Sequence, residues 1–238
     1  MKILALDTST IFLSLALAED EEIIAETHRR LKNKDHARCL IPEIDRLFKK
    51  SQIDLEDIDI LCLGSGPGSF TGLRVALSTV KALNFSLHNK IASIPSMDAI
   101  AYNIDEQQDR IIACIQDAKK NKVYGALYKR DNGLVRLKGY LLMEFDRYMD
   151  LIREVKEREN KEVIFTGEGC QIFKEDILKR LPQGYFAERR CWYPYAKNLA
   201  RLVFIRLKED KTFLSTRNKV ELLYLHSQYA NITKPKKL

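Results

Sequence analysis

Two stretches of this 238-residue chain concentrate groups able to do chemistry. Near the start, Asp7 is followed by Thr8, Ser9 and Thr10. A carboxylate beside hydroxyls and free N–H groups can hold magnesium and phosphate, which makes this run a candidate nucleotide site. The alternative is an aspartate that merely caps its own turn. The second stretch reads Gly64-Ser65-Gly66-Pro67-Gly68-Ser69-Phe70-Thr71-Gly72-Leu73-Arg74-Val75 and holds four of the ten glycines. Glycines let backbone N–H groups approach an anion, and a helix starting at Ser69 would add the positive end of its dipole. Neither GxxxxGK[ST] nor GxGxxG is present, so a tight strand-to-helix connection accounts for the loop equally well. The candidate nucleotide-binding set is therefore Asp7, Thr8, Ser9, Gly64, Gly66, Gly68 and Ser69, a degenerate site for ATP or ADP. No cofactor is required.

Other candidates are thinner. Asp117 is a second acid, and Gly167-Glu168-Gly169 is the nearest approach to a second phosphate loop, though a short one. Ser65, Ser69 and Thr71 have no histidine or second acid close in sequence to activate a nucleophile. Trp192-Tyr193-Pro194-Tyr195 can stack on a base, or more simply pack a loop entering a helix. The cysteines (39, 62, 114, 170, 191) form no CxxC pair and the histidines (28, 36, 88, 226) no HxxxH pair. That spacing argues against structural zinc and for buried thiols in a reducing compartment.

The elements that position these residues follow from periodicity. Strands are expected at Lys2–Asp7, Ile11–Glu19 and Ile23–Arg30, then a helix capped by Asp35 and carrying Leu40, Ile44, Leu47 and Phe48. A strand at Ile58–Leu63 leads into the glycine loop and a helix from Ser69 to Leu87, and Ser96 caps a short helix through Tyr102. The second half repeats the order: strands at Ile111–Gln116, Val123–Lys129 and Leu134–Leu142, a helix at Phe145–Arg158, a strand at Val163–Thr166 and a helix at Ile172–Leu181. A last helix covers Lys197–Lys208, and Val220–Tyr224 adds a strand. The order β-β-β-α-β-α thus occurs twice, which implies an α/β protein of two lobes facing each other across a cleft. The first lobe is expected over residues 1–104 and the second over 105–238, with the helix at 195–209 packing back on the first.

The helix from Ser69 gives a sharper expectation. At about 100° per residue, Phe70, Leu73, Ala76, Leu77, Val80, Leu83 and Leu87 gather toward the sheet. The other side carries Thr71, Val75, Ser78, Thr79 and Ala82, and only Arg74 and Lys81 bring charge. A helix uncharged around most of its girth reads as a subunit interface, or as one buried by its own chain. Thr71, Arg74, Val75, Ser78, Thr79 and Ala82, with Leu40 and Ile44 of the preceding helix, form the candidate partner surface.

Apolar residues make up 45% of the chain, and the run Ile11–Ala18 is too short to span a bilayer, so a cytoplasmic protein without a membrane partner is expected. The net charge of +7 resides from Lys197 onward, where ten bases face three acids. Such an end can graze a phosphate backbone or simply be solvated.

GSGPGSFTGLRVA at 64–76 resembles the signature loop of the TsaB (YeaZ) family. ILALDTST at 3–10, HARCLIPEID at 36–45, ASIPSMDAIA at 92–101 and DAKKNKVYGALY at 117–128 are similar to that family in the same order. The resemblance implies the two-lobed fold of actin and the sugar kinases, and a non-catalytic subunit pairing with a TsaD-like homologue that carries the metal site. It further implies a homodimer when alone, a TsaE-like ATPase as companion, and tRNA bound through the complex, whose product is threonylcarbamoyladenosine at position 37 of tRNAs reading ANN codons. The metal-binding HxxxH pair of the TsaD-like proteins is absent here, which leaves a glycoprotease-like metallopeptidase as the less favoured alternative function. An ATP-binding enzyme of kinase type is the alternative. Leu222-Leu223-Tyr224-Leu225-His226 departs from the family's usual ending, lacking its proline and arginine, and residues 130–215 offer little to match.

Overall fold

The computed structural model describes residues 1–32, 35–105, 107, 109–210, 212–215 and 220–225. Apolar β-rich runs and amphipathic helices assemble into two compact units. One joins Met1–Ala99 to Pro194–Tyr224, and the other is Ile100–Tyr193. The division thus falls ahead of the expected boundary at 104/105, and the described residues of Pro194–Tyr224 belong to the first unit, as expected only for the helix at 195–209.

The first unit carries a five-stranded sheet in the order β3-β2-β1-β4-β5. Its strands are β1 (Lys2–Asp7), β2 (Phe12–Glu19), β3 (Glu22–Arg30), β4 (Ile60–Gly64) and β5 (Lys90–Ile94). The first three form an antiparallel meander, while β4 and β5 run parallel to β1. Helices α1 (His36–Ser51) and α2 (Phe70–Leu87) supply the crossovers that parallel strands need. Both bury an apolar stripe in one core with Leu4, Leu6, Leu13 and Leu15: α1 gives Leu40, Ile44 and Leu47, and α2 gives Leu73, Ala76 and Val80. Asp35 caps α1 by accepting from Arg38 N, as its position before the apolar stripe predicts. Short α3 (Ser96–Ala101) follows β5.

Helix α6 (Ala196–Glu209) packs against β1, β2 and β4 of the same sheet. Leu199, Ala200, Leu202 and Val203 are buried there, and Ala196 N donates to Ser14 Oγ at 2.8 Å. Val220–Tyr224 forms no strand. Leu223 N donates to Ser65 O, Ser93 Oγ donates to Glu221 O, and Val220 and Leu222 are seated in the core. Ahead of this stretch, Ser215 forms an isolated antiparallel bridge with Ile91.

The second unit repeats the plan with the order β10-β9-β6-β7-β8. Its elements are β6 (Ile111–Lys119), β7 (Lys122–Arg130), β8 (Leu134–Glu144), α4 (Phe145–Glu159), β9 (Val163–Thr166), α5 (Cys170–Arg180) and β10 (Tyr185–Phe186). Neither β5 nor β10 was expected from the sequence. Both β5 and β10 are short and lie at a sheet edge, where alternation is weak. Tyr148 of α4 fixes the repeat, since its hydroxyl donates to the carbonyls of Cys114 and Ala126 at 2.9 and 3.0 Å. Gly125 leaves room for that ring.

Candidate functional site

Strand β1 delivers Asp7 at its end, fully buried. Its Oδ1 accepts from Ser9 N at 2.8 Å and from Ser9 Oγ at 2.7 Å. Its Oδ2 accepts from Ser96 Oγ at 2.6 Å. Burial pushes the carboxyl above its ordinary pKa, while the hydrogen bonds from Ser96 and Ser9 pull the other way. The same Ser96 hydroxyl accepts from Gly66 N at 3.1 Å, and Ser96 N donates to Gly66 O at 2.8 Å. Ser96 was expected only to cap a short helix. Instead it joins β1 to the glycine loop.

The glycines are explained by what touches them. A Cβ on Gly64 would lie 1.9 Å from Asp7 Oδ2. One on Gly68 would lie 2.3 Å from Ser9 O, and one on Gly72 would lie 2.0 Å from Thr8 O. Hydrogen bonds tie the same elements: Ser69 N donates to Ser9 O at 2.7 Å, and Thr8 Oγ1 donates to Gly72 O at 2.7 Å. Ser69 Oγ caps α2 by accepting from Gly72 N at 3.2 Å. Thus Asp7, Thr8, Ser9, Gly64, Gly66, Gly68 and Ser69 do come together, and they bind one another. A phosphate needs unclaimed N–H groups, yet those of Ser65, Gly66, Ser69 and Gly72 are committed within the chain. A nucleotide bound here would therefore compete with the bonds that hold the loop to Asp7, Thr8 and Ser9.

The second loop behaves alike. Gly167 adopts φ +101°, and a Cβ there would meet Ile115 O at 2.2 Å. Gly169 N donates to that carbonyl at 3.0 Å. Asp117 accepts from Lys119 N at 2.8 Å and forms an ion pair with that lysine. Its neighbour Gln116, which the sequence did not single out, is buried with both amide atoms unpartnered among the described residues. Trp192 is buried, with Nε1 donating to Ala187 O at 2.9 Å. Tyr195 stacks on His28 at 3.9 Å.

Helix α2 presents Thr71, Arg74, Ser78 and Ala82 to solvent, and leaves Val75 and Thr79 half-buried. Phe85, 67% exposed, completes this stripe, and Ile41 of α1 is 54% exposed. Leu40 and Ile44 are corrected: at 0% and 5% exposure they are core residues facing the sheet, out of any partner's reach. Helical spacing gives a common face but not which side of α1 meets the sheet. Phe70, Leu77, Leu83 and Leu87, expected to be buried, are half-exposed.

Doubled sheets of this topology, each with its crossover helices, define the two-lobed actin-like ATPase class. A hexokinase of the ROK group from Thermus thermophilus shares the fold at TM-score 0.50 and 9% identity, over 88% of this chain and all of that one. Within the class the family model described as TsaD, tRNA N6-adenosine threonylcarbamoyltransferase, matches residues 23–229. The TsaB protein of Bacillus subtilis is 32% identical over 75% of this chain and 77% of its own length. That of Haemophilus influenzae is 36% identical over 76% and 78%. Both bear the name tRNA threonylcarbamoyladenosine biosynthesis protein. YeaZ from Pseudomonas aeruginosa superposes at TM-score 0.74 with 22% identity, over 94% of this chain and 99% of that one. The chain belongs to the TsaB (YeaZ) family.

Proposed function

We propose that this protein serves threonylcarbamoyladenosine formation on tRNA as a non-catalytic pairing subunit. Its family relatives are named for that pathway. In this role α2 seats a TsaD-like homologue, which carries the transfer chemistry, beside a TsaE-like ATPase, and tRNA is met through the complex. Alone, the chain pairs with itself. The observation that carries the reading is the closed glycine loop. Its hydrogen bonds to Thr8 and Ser9 brace the start of α2 against the end of β1. The same helix offers Thr71, Ser78 and Ala82 on its exposed side, a small-residue stripe of the kind close helix packing uses, with the exposed Phe85 ring beyond it.

The test is reconstituted transfer to tRNA with this chain added, omitted, or supplied as the only protein. Transfer should require it beside the TsaD-like and TsaE-like proteins, and the chain alone should be inert in transfer and in ATP hydrolysis. A system that runs equally well without it, or a lone chain that modifies tRNA or turns over ATP, overturns the reading. Ala82→Arg should abolish pairing while leaving the fold intact, as sedimentation and thermal melting would report. Val75→Glu is the poorer probe, because Val75 also packs on the lobe's core.

A further inference from the structure

Strands β6 and β10 both run parallel to β9, so the starts of all three lie together, at the end of the sheet opposite the Gly167–Gly169 loop. There Ile111 N donates to Glu162 O at 2.8 Å, which sets Arg110 next to Lys161 and Glu162. Tyr185 opens β10 at 46% exposure, and the Arg110 guanidinium lies 3.9 Å from its ring centre. One residue on, Lys174 lies 5.5 Å from the Phe186 ring centre, and Phe186 stacks on Phe165. Both rings of this short edge strand thus carry a cation.

Beside Tyr185 a slot of about 210 Å³ opens between the start of β9 and the turn Leu181–Gly184. Val163, Leu181, Pro182 and Gly184 give it apolar walls, and Gln183 brings an amide that both donates and accepts. The turn is held: Gly184 N donates to Leu181 O at 2.9 Å, and a Cβ on Gly184 would lie 2.9 Å from the Phe165 ring. The slot is smaller than the roughly 300–1,000 Å³ of sites for drug-sized ligands, so it suits a single ring system. A hollow of about 470 Å³ adjoins it past Arg153 and Lys161. The cations around both are matched, Lys156 by Glu162 at 2.6 Å, Arg153 by Asp150 at 3.7 Å and Lys161 by Asp109. A rim so balanced does not clamp a run of phosphates, which leaves stacking and the slot as the means of recognition. An apolar protein side chain would fill the slot but leave the Arg110–Tyr185 platform and the Gln183 amide unused. Adjacent nucleobases use all three.

Resting on the tRNA role proposed above, though not on pairing through α2, we infer that this edge of the second unit binds an unpaired segment of RNA. One base occupies the slot, and its neighbour stacks on the Tyr185 ring that Arg110 backs. Bases locked in a duplex cannot separate to do this.

Fluorescence anisotropy of the full chain with an RNA hairpin bearing an unpaired loop, a fully paired RNA duplex and free AMP tests the assignment. The hairpin should bind about tenfold tighter than the duplex, and AMP more weakly than the hairpin. The slope of log affinity against log salt should be no steeper than about −1.4, the value for two phosphates on a single strand. Tyr185→Ala should weaken hairpin binding about tenfold and Tyr185→Phe should restore it, with unchanged melting in both. Arg110→Gln, which leaves every ring in place, should weaken it about threefold. Equal binding of hairpin and duplex, a steeper slope, or wild-type affinity in a folded Tyr185→Ala protein overturns the inference. AMP that binds as tightly as the hairpin overturns it in favour of a free nucleotide. Absent RNA binding, with Tyr185→Ala weakening association with the TsaD-like protein, overturns it in favour of a protein surface. Reconstituted transfer separates the two levels. If the chain is required but Tyr185→Ala leaves KM for tRNA unchanged, this contact fails and the role stands; if the chain is dispensable, the role fails.

Discussion

Asp7 is the residue on which the rival readings diverge most. Its three hydrogen-bond donors, Ser9 N, Ser9 Oγ and Ser96 Oγ, all come from the chain itself. If the carboxylate is a structural keystone, Asp7→Asn should keep the fold and keep tRNA modification in the reconstituted system. Asp7→Ala, which orphans all three donors, should cost about 3 kcal/mol in urea unfolding. Loss of modification by a folded Asp7→Asn protein would mark a chemical role instead. The raised pKa adds a signature. Between the ordinary carboxylate value and the raised one, the folded chain binds more protons than the unfolded chain, so Asp7's contribution to stability falls as pH rises through that window. Asp7→Asn should flatten that part of the pH–stability curve. Gly72 makes a companion test: a methyl group there collides with Thr8 O, so Gly72→Ala should destabilise by about 3 kcal/mol. At Gln116 the expectation reverses. Both of its amide atoms lack partners among the described residues, so Gln116→Met should be neutral or stabilising in thermal melts.

At the scale of elements, β3 is an edge strand that α6 helps to secure. His28 on β3 stacks between Phe12 at 4.4 Å and Tyr195 at 3.9 Å, just ahead of the helix. Burial is the main cause that lowers its pKa from 6.5 to about 4, and the nearby Lys197 charge acts in the same direction. Between those values the unfolded chain binds the proton and the folded chain does not. Stability from this group is therefore intact above pH 6.5 and lost as pH falls toward about 4. His28→Phe should remove that acid sensitivity in urea titrations from neutral pH downward. An unchanged acid limb would show that the stack does not control it. The sign is opposite to that of Asp7, so the two variants separate the contributions.

For the molecule as a whole, the chain leaves the first unit at Ala99 and re-enters it at Pro194. The returning segment contributes α6 to the sheet and then Val220 and Leu222 to the core shared by α1 and α2. A stop codon in place of Val220 removes both side chains together with the Leu223 bond to Ser65. Such a truncation should lower stability by about 3 kcal/mol and lower pairing through α2, whose first turn loses the Tyr224 contact with Phe70. Unchanged melting and association would make this segment dispensable.

Much of the plan was legible because local signals were strong. Strand β1 begins and ends as read, Asp35 caps where a polar residue precedes an apolar stripe, and the repeated element order followed from periodicity. The loop glycines announced a close approach, and helical spacing singled out α2 as a helix with two faces. What approaches the glycines was not legible. The carbonyls of Thr8 and Ser9, and the Ser96 hydroxyl 89 positions beyond Asp7, lie far from the loop or from each other in sequence. Leu40 and Ile44 could not be assigned to core or surface either, since spacing names a face without naming its neighbour. The sequence alone determined the long elements, their order and the family, because those depend on local patterning and accumulated motif; the short edge strands β5 and β10 and the unpaired Val220–Tyr224 were misread. Only the tertiary structure decided that the glycine loop closes on its own chain and which side of each helix stays exposed, because both depend on contacts between distant residues.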